Sequence, residues 1–166
     1  MNITIEKASP ANAAALLEYL KTVGAQTENL TFGAEGLPVS EADEAAFIAG
    51  MAESADSIML LAKADGKIIG DASVSRLPRR MNHRGEFCIA VAKEYWNRGI
   101  GSRLLEEILA FARKNSFEVL DLQVRSDNKP AICLYEKFGF QKTGTHPAFF
   151  KIDGQYIAFD YMSLKL

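Results

Sequence analysis

The stretch from Val91 to Leu105 restricts the fold of this 166-residue chain more than any other. An apolar strand pattern is followed by a short loop, and an amphipathic helix then begins at Gly99. Helix N-termini normally carry acidic side chains, because their free N–H groups and the helix dipole are positive. Here the first acidic residue is Glu106, and Arg98 and Arg103 add positive charge instead. We therefore predict that an anion, most naturally a phosphate group, binds at this helix start.

The residue types of this turn suit a phosphate but do not match two common phosphate motifs. Gly99 and Gly101 would let the backbone approach the ligand, and Ser102 adds a hydroxyl donor. A dinucleotide fingerprint needs a small residue where Leu104 stands, and a P-loop needs a Gly-Lys-Ser/Thr ending that is absent. A helix start with chance glycines and solvated arginines is the remaining alternative.

The rest of the chain alternates strand and helix patterns. Strands are predicted at residues 3–8, 58–63, 67–70, 85–92 and 119–124, with a closing hairpin of 148–152 and 156–165. Helices are predicted at residues 11–23, 41–54 and 99–115, with a short helix from Asn128 to Gly139. This order predicts one domain over residues 1–166 with an α/β fold of the α+β type, and a largely antiparallel sheet.

Composition excludes several classes of function. The net charge of −2 argues against nucleic-acid binding, and no apolar run is long enough to cross a membrane. No secretory signal pattern begins the chain, so a cytoplasmic protein is expected. Cys88 and Cys133 lie in apolar stretches without metal-ligand spacing, which predicts buried free thiols and no metal site.

Two segments together resemble a known family, the GNAT superfamily of N-acetyltransferases. Residues 91–105 resemble its acetyl-CoA motif, whose core Gln/Arg-x-x-Gly-x-Gly/Ala matches Trp96 to Gly101 with Trp96 in place of Gln or Arg. Residues 128–140 are similar to its Asn-x-x-Ala-x-x-Leu-Tyr-x-x-x-Gly-Phe element. Two long motifs in the family's order form a specific signal.

The resemblance implies a fold and a cosubstrate, acetyl-CoA. It implies a V-shaped splay between the strand ending near Val91 and the strand at 120–124, with about four flanking helices. The pantetheine arm would pair with the backbone of Ile89 and Val91, whose side chains could equally serve core packing. Asn128 would bond the pantetheine amides, cap its own helix, or do both. The phosphates would be bound by Trp96, Asn97, Arg98, Gly99, Ile100, Gly101, Ser102 and Arg103.

The resemblance also implies direct attack of a primary amine on the thioester. Tyr135 matches the family tyrosine that protonates the departing sulfur, although a core aromatic is the alternative. Glu86 lies where several family members carry a carboxylate that deprotonates the amine through water, although a solvated strand charge is nearly as good an interpretation. The Val91 N–H would stabilise the thioester oxygen.

Charge segregation suggests the acceptor. Residues 22–62 contain seven acidic residues and no Lys or Arg, so this segment carries −7 and the rest of the chain +5. The resemblance places this segment beside the acceptor pocket, which predicts a small cationic amine or polyamine. Glu28 and Asn29 of this segment are candidate substrate contacts. His83, three residues before Glu86, is a third candidate and could serve as the base instead of Glu86, although a lone surface histidine is the commoner case. Acidic helices that merely improve solubility are the alternative.

Other functions stay open at this stage. A protein N-terminus or a lysine could be the acceptor instead. The chain could also be a regulatory module that senses acyl-CoA without turnover. The aromatic residues of the closing hairpin could pack in the core, line the pocket or contact a second subunit, so a homodimer is also open.

Overall fold

One mixed sheet of seven strands, flanked by four helices, organises residues 2–166, which the computed structural model describes. The helices are α1 (Ala13–Gln26), α2 (Glu41–Glu53), α3 (Ile100–Lys114) and α4 (Lys129–Lys137). The strands are β1 (Ile3–Lys7), β2 (Ser57–Ala64), β3 (Lys67–Arg76), β4 (Arg84–Val91), β5 (Val119–Arg125), β6 (Gln141–Ile152) and β7 (Gln155–Lys165). The predicted fold class is confirmed.

Tight turns and two helical crossovers, α3 between β4 and β5 and α4 between β5 and β6, set the strand order β1-β2-β3-β4-β5-β7-β6. Asp65-Gly66 and Asp153-Gly154 have positive φ angles and turn the β2–β3 and β6–β7 hairpins. Among the described strands, only β4 and β5 pair in parallel, and α3 connects them. The sheet is therefore mostly antiparallel, as predicted.

Apolar side chains cover both faces of the sheet. On the α3/α4 face, Leu104 and Ile108 of α3 pack with Leu120 of β5 in the larger core. On the α1/α2 face, Leu16 of α1 and Ile48 of α2 pack in a second cluster with Leu61 and other apolar residues. Within residues 2–166, no helix combines the length and the apolar character needed to span a bilayer.

The first helix begins and ends later than its sequence pattern predicts. Residues Pro10–Asn12 form a separate 3-10 turn, and α1 continues past Gly24 to Gln26. Gly24 lies within the helix and allows the segment after α1 to approach it closely, because a Cβ there would lie 2.0 Å from the carbonyl oxygen of Gly33.

The closing hairpin is longer than predicted. β6 begins at Gln141 and pairs with β7 from the Gln141–Ser163 pair onward. Register shifts between Lys142 and Gly144 and between His146 and Phe150 interrupt the ladder. These irregularities disturb the alternation by which the first half of the strand could have been found in the sequence.

Both cysteines are exposed, so the prediction of buried thiols is wrong. Cys88 follows the buried Phe87 on β4, and successive strand residues point to opposite faces of a sheet. A strand residue with apolar neighbours in the sequence is therefore still exposed when its side chain points to the other face of the sheet and that face is uncovered there.

Candidate active site

A V-shaped gap opens in the sheet between β4 and β5. The two strands pair only over residues 84–86 and 119–121, although β4 continues to Val91 and β5 to Arg125. Beyond Glu86 and Asp121 they diverge. This is the splay that the family resemblance implies.

The backbone of Ile89 and Val91 faces the gap. The Ala92 N–H donates to the Ile69 carbonyl oxygen of β3 at 2.9 Å. Alternate residues of an antiparallel strand bond to the same neighbour, so Ile89 and Val91 direct their N–H and C=O groups towards the gap. An extended ligand could pair with the Ile89 groups and the Val91 N–H as an added strand does, while the Val91 carbonyl oxygen accepts from the Trp96 indole.

A cavity of about 480 Å³ occupies the open end of the gap. Its walls come from β4, the loop and first turn of α3, α4 and the segment that follows α1. It brings together most of the residues predicted to bind the cofactor: Ile89, Val91, Trp96, Asn97, Gly99, Ile100, Gly101, Ser102, Asn128 and Tyr135.

The start of α3 presents free backbone N–H groups at this cavity. Gly99 is the N-cap residue with a φ of 76°, a left-handed conformation that glycine adopts without strain. The Arg103 N–H donates to the Gly99 carbonyl oxygen at 3.1 Å and closes the first helical turn. The N–H groups of residues 100–102 therefore have no partner inside the helix. No acidic side chain lies in this turn, so the positive end of the helix dipole suits a phosphate.

Trp96, which stands where the family motif has Gln or Arg, lines the cavity. Its indole N–H donates to the Val91 carbonyl oxygen at 2.7 Å, and the residue is 42% exposed. This bond ties the loop before α3 to the end of β4. Because the chain has only one tryptophan, its fluorescence reports on the cavity.

The two arginines of the motif do not line the cavity. The Arg98 guanidinium lies 5.4 Å from the centroid of the Tyr95 ring, and Arg103 donates to the Ile3 carbonyl oxygen at 3.3 Å. Direct contact of these side chains with a phosphate stays a prediction. Backbone N–H groups are the donors that the structure places at the helix start.

Tyr135 presents a protonated phenol to the cavity. Its ring is 8% exposed and packs edge-to-face against Phe87 and Phe140, at centroid distances of 5.9 and 6.0 Å. Burial, with a smaller contribution from Cys88, raises the pKa of Tyr135, so the hydroxyl carries its proton at neutral pH. The residue lines the cavity and can donate to a ligand there.

Asn128 joins α4 to the cavity wall. Its side-chain oxygen accepts a hydrogen bond from the Ala131 N–H at 3.4 Å, which confirms the predicted helix cap. The side-chain amide group is left for other contacts, and Asn128 lines the cavity. Its bonding to the pantetheine arm stays a prediction.

Glu86 lies at the point where β4 and β5 begin to diverge. Its carboxylate accepts a hydrogen bond from the side-chain amide of Gln123, which reaches it from β5. Glu86 is exposed and does not line the cavity itself. A proton could therefore reach this carboxylate from a bound amine only through water.

These features fit acetyl-CoA group by group. The free N–H groups at α3 suit a pyrophosphate, the open edge of β4 suits an amide-containing arm, and Tyr135 lies in the same cavity. Comparison with known proteins agrees, because residues 14–140 match the model of the acetyltransferase (GNAT) family. The chain belongs to the GNAT family.

Curated GNAT relatives act on different amines. N-alpha-acetyltransferase RimI from Mycobacterium tuberculosis is 40% identical over 94 residues, which cover 56% of this chain and 58% of that protein. L-amino acid N-acetyltransferase AaaT from Escherichia coli is 35% identical over 108 residues, which cover 63% of this chain and 65% of that protein. Each match thus spans less than two thirds of the relative's own length.

Solved GNAT structures share the whole fold. An acetyltransferase of the GNAT family from Streptococcus pneumoniae is 31% identical with a TM-score of 0.96, over 99% of this chain and 100% of that chain. The structure of yncA from Salmonella typhimurium, with its cofactor acetyl-CoA, is 22% identical with a TM-score of 0.86, over 99% and 94% of the two chains. The second likeness shows the fold alone.

Two polar residues beside the gap, Gln123 and Arg125, were not predicted. Both lie on the α1/α2 face of β5, where they alternate with the buried Leu122 and Val124. That alternation was visible in the sequence and could have indicated which side chains of this strand face α1 and α2.

A buried carboxyl group was also missed. Asp71 of β3 pairs with Ala90 of β4, whose carbonyl oxygen accepts a hydrogen bond from the Tyr19 hydroxyl at 3.0 Å. Within residues 2–166 the Asp71 Oδ1 atom is buried and has no hydrogen-bond partner. Burial raises the pKa of Asp71 to about 7, and Glu44 adds to the rise while Tyr19 opposes it. A lone acid inside an apolar strand was its sequence signal.

The three predicted substrate contacts do not lie together in the structure. Asn29 lines the cavity, while Glu28 beside it is ion-paired with Arg125. His83 lies at the closed end of the gap, where its carbonyl oxygen accepts a hydrogen bond from the Glu118 backbone N–H at 2.8 Å. The residue lines a different, polar cleft. The structure does not place His83 at the cavity, because the paired part of β4 and β5 lies between them.

Most acids of residues 22–62 have local structural roles. Three of them lie in the first turn of α2 and complement the helix dipole, and others pair with an arginine or a backbone N–H: Glu41, Asp43, Glu44, Glu28, Asp56 and Glu35. Among the described residues that line the cavity, none is acidic. Charge counted along the sequence therefore overstates the negative charge at the cavity.

Proposed function

We propose that the protein transfers the acetyl group of acetyl-CoA to a primary amine of a small molecule, by direct attack of the amine on the thioester. One observation carries the proposal: the free N–H groups of residues 100–102, the open edge of β4 and the Tyr135 hydroxyl meet in one cavity. Family membership and acetyltransferase relatives support it.

Backbone groups bind and orient the cosubstrate in this proposal. Acetyl-CoA supplies an acetyl group activated as a thioester. The N–H groups of residues 100–102 hold the pyrophosphate, and Ile89 and Val91 pair with the pantetheine arm. The Val91 N–H then donates to the carbonyl oxygen as negative charge develops there, a contribution of roughly 10²- to 10³-fold in rate.

Two side chains move the protons. Tyr135 donates its phenolic proton to the departing sulfur, whose thiolate would otherwise leave with a pKa near the ~8.5 of cysteine. Glu86 accepts the proton of the attacking amine through water, and the hydrogen bond from Gln123 fixes its carboxylate. Because burial raises the pKa of Tyr135, its hydroxyl stays protonated across the neutral pH range.

Two classes of amine are candidate acceptors. A small cationic amine or polyamine, predicted from the acidic segment, has reduced support because those acids have local partners. A protein N-terminus is the second candidate, favoured by the 40% identity to N-alpha-acetyltransferase RimI.

Thiol release from acetyl-CoA in the presence of an amine panel tests the proposal. The panel should include polyamines, free amino acids, amino-acid amides, lysine and a short peptide. We expect turnover with at least one class. Cofactor binding without turnover on any acceptor would instead support a module that senses acyl-CoA.

A further inference from the structure

We infer that Arg125 binds a carboxylate of the acceptor, so that the acetylated amine belongs to an amino acid or a similar zwitterion. This inference rests on the proposed acetyltransferase function and narrows its acceptor. It assigns Arg125 as a specificity-determining residue of the site.

Arg125 lies beside the open end of the gap. It is the last residue of β5, on the α1/α2 face, two positions after the Gln123 side chain that reaches Glu86. Glu28, its partner from the segment after α1, stands between Thr27 and Asn29, which both line the cavity. Arg125 and Glu28 do not line the cavity themselves; through Glu28 the guanidinium lies next to the part of the cavity wall formed by Thr27 and Asn29.

Asp127 fixes the guanidinium and leaves one edge available. Arg125 Nε donates to Asp127 Oδ1 at 2.7 Å, and Nη2 donates to Oδ2 at 3.1 Å. The Arg125 side chain is 17% exposed, which restricts its conformations further. A guanidinium has five N–H donors in a planar fork, so a bidentate partner on one edge leaves Nη1 for a second carboxylate.

Glu28 occupies that second position weakly. Its carboxylate lies 3.4 Å from Arg125 Nη1, the longest ion pair within residues 2–166, and its side chain is 63% exposed. Exposed ion pairs of this kind contribute little. A ligand carboxylate could replace Glu28 without changing the net charge around Arg125.

The same contact would orient the amine. In an amino acid the amine and the carboxylate are attached to one carbon atom. A carboxylate bound at the end of β5 therefore keeps its amine near the open end of the gap, across which Val91 of β4 lies. Such anchoring of a non-reacting group positions the reacting one.

Matched acceptors test the inference. The experiment compares kcat/KM for several free amino acids with kcat/KM for their amides, which retain the side chain and the amine but lack the carboxylate. We expect wild-type protein to favour the free acids by on the order of 10- to 100-fold, the effect of one bond between charged groups. Arg125→Gln should reduce that ratio towards one, chiefly through KM.

Two further variants separate this role from a loss of folding. Arg84→Gln removes another ion-paired arginine from the same face, at the closed end of the gap, and should leave the acid-to-amide ratio unchanged. Glu28→Gln removes the competing carboxylate and should lower KM for the free acids but not for the amides. The ratio is internal to each protein sample, so partial unfolding does not alter it.

Each outcome of these experiments either supports or overturns the inference about Arg125. The inference is overturned, while the proposed function stands, if amides, polyamines or a peptide N-terminus are acetylated with the same kcat/KM as free acids. It is also overturned if Arg125→Gln keeps the wild-type ratio of kcat/KM between free acids and amides. If the protein binds CoA but acetylates nothing on the panel, the proposed function fails and the inference fails with it.

Discussion

Replacement of Tyr135 by Phe isolates one oxygen atom of the proposed site. The ring should keep its edge-to-face contacts with Phe87 and Phe140, because these depend on the ring alone. The hydroxyl lies at the cavity wall, so its loss leaves no buried group without a partner. We therefore expect the free energy of unfolding to change by less than about 1 kcal/mol. A general acid contributes roughly 10²- to 10⁴-fold in rate, or about 3 to 5 kcal/mol of transition-state stabilisation.

Three measurements on Tyr135→Phe and wild type check this reasoning. Urea denaturation should give similar stabilities, and calorimetric titration should give similar CoA affinities. Single-turnover acetylation should be slower by at least 100-fold. Equal rates would refute the assignment of Tyr135 as the acid, and a loss of CoA affinity that matches the rate loss would indicate a binding role instead.

Three other substitutions address separate groups. Because burial raises the pKa of Asp71 from 3.8 to about 7, the folded chain binds more protons than the unfolded chain between these values, and its stability falls as pH rises through them. Between pH 5 and 8, Asp71→Asn should remove about 2 to 3 kcal/mol of that fall, measured by urea denaturation at the two pH values; an equal loss of stability in both proteins would contradict it. Trp96→Phe removes the bond to Val91 and should weaken CoA binding by about 2- to 10-fold in calorimetry, whereas an unchanged Kd would show that the bond is dispensable. Glu86→Gln should lower kcat/KM by at least about 100-fold at unchanged CoA affinity, and a near-normal rate would exclude Glu86 as the base.

Local sequence signals predicted the cofactor side of the site well. Gly99 and Gly101 in a helix start without acids indicated an anion site, and the structure places free N–H groups of that turn at the cavity. The cap at Asn128 and the turns at Asp65 and Asp153 likewise depend on neighbouring residues. Such features can be predicted because their geometry is set within a few residues.

Features that depend on distant pairing were not predicted. The pattern along one strand indicates the face on which Gln123 and Arg125 lie, and it marks Asp71 as a lone acid. It does not reveal their partners, because these come from other strands, from α1 and from the segment after α1. His83 shows the converse error. Its closeness to Glu86 in the sequence suggested a shared site, but β4 runs away from it towards the cavity.

The central claim is that the start of α3 holds the phosphates of acetyl-CoA, and calorimetric titration of CoA into two glycine variants tests it most directly. Gly99 and Gly154 have φ angles of 76° and 78°, and a Cβ at either position would meet no atom within 4 Å. Gly99→Glu and Gly154→Glu therefore impose a similar backbone cost, but only the first brings a carboxylate to the phosphate site. We predict wild-type affinity for Gly154→Glu and at least a 50-fold weaker Kd for Gly99→Glu, roughly 2.3 kcal/mol. Equal CoA affinity in the two variants, or no binding by wild type, would contradict the account.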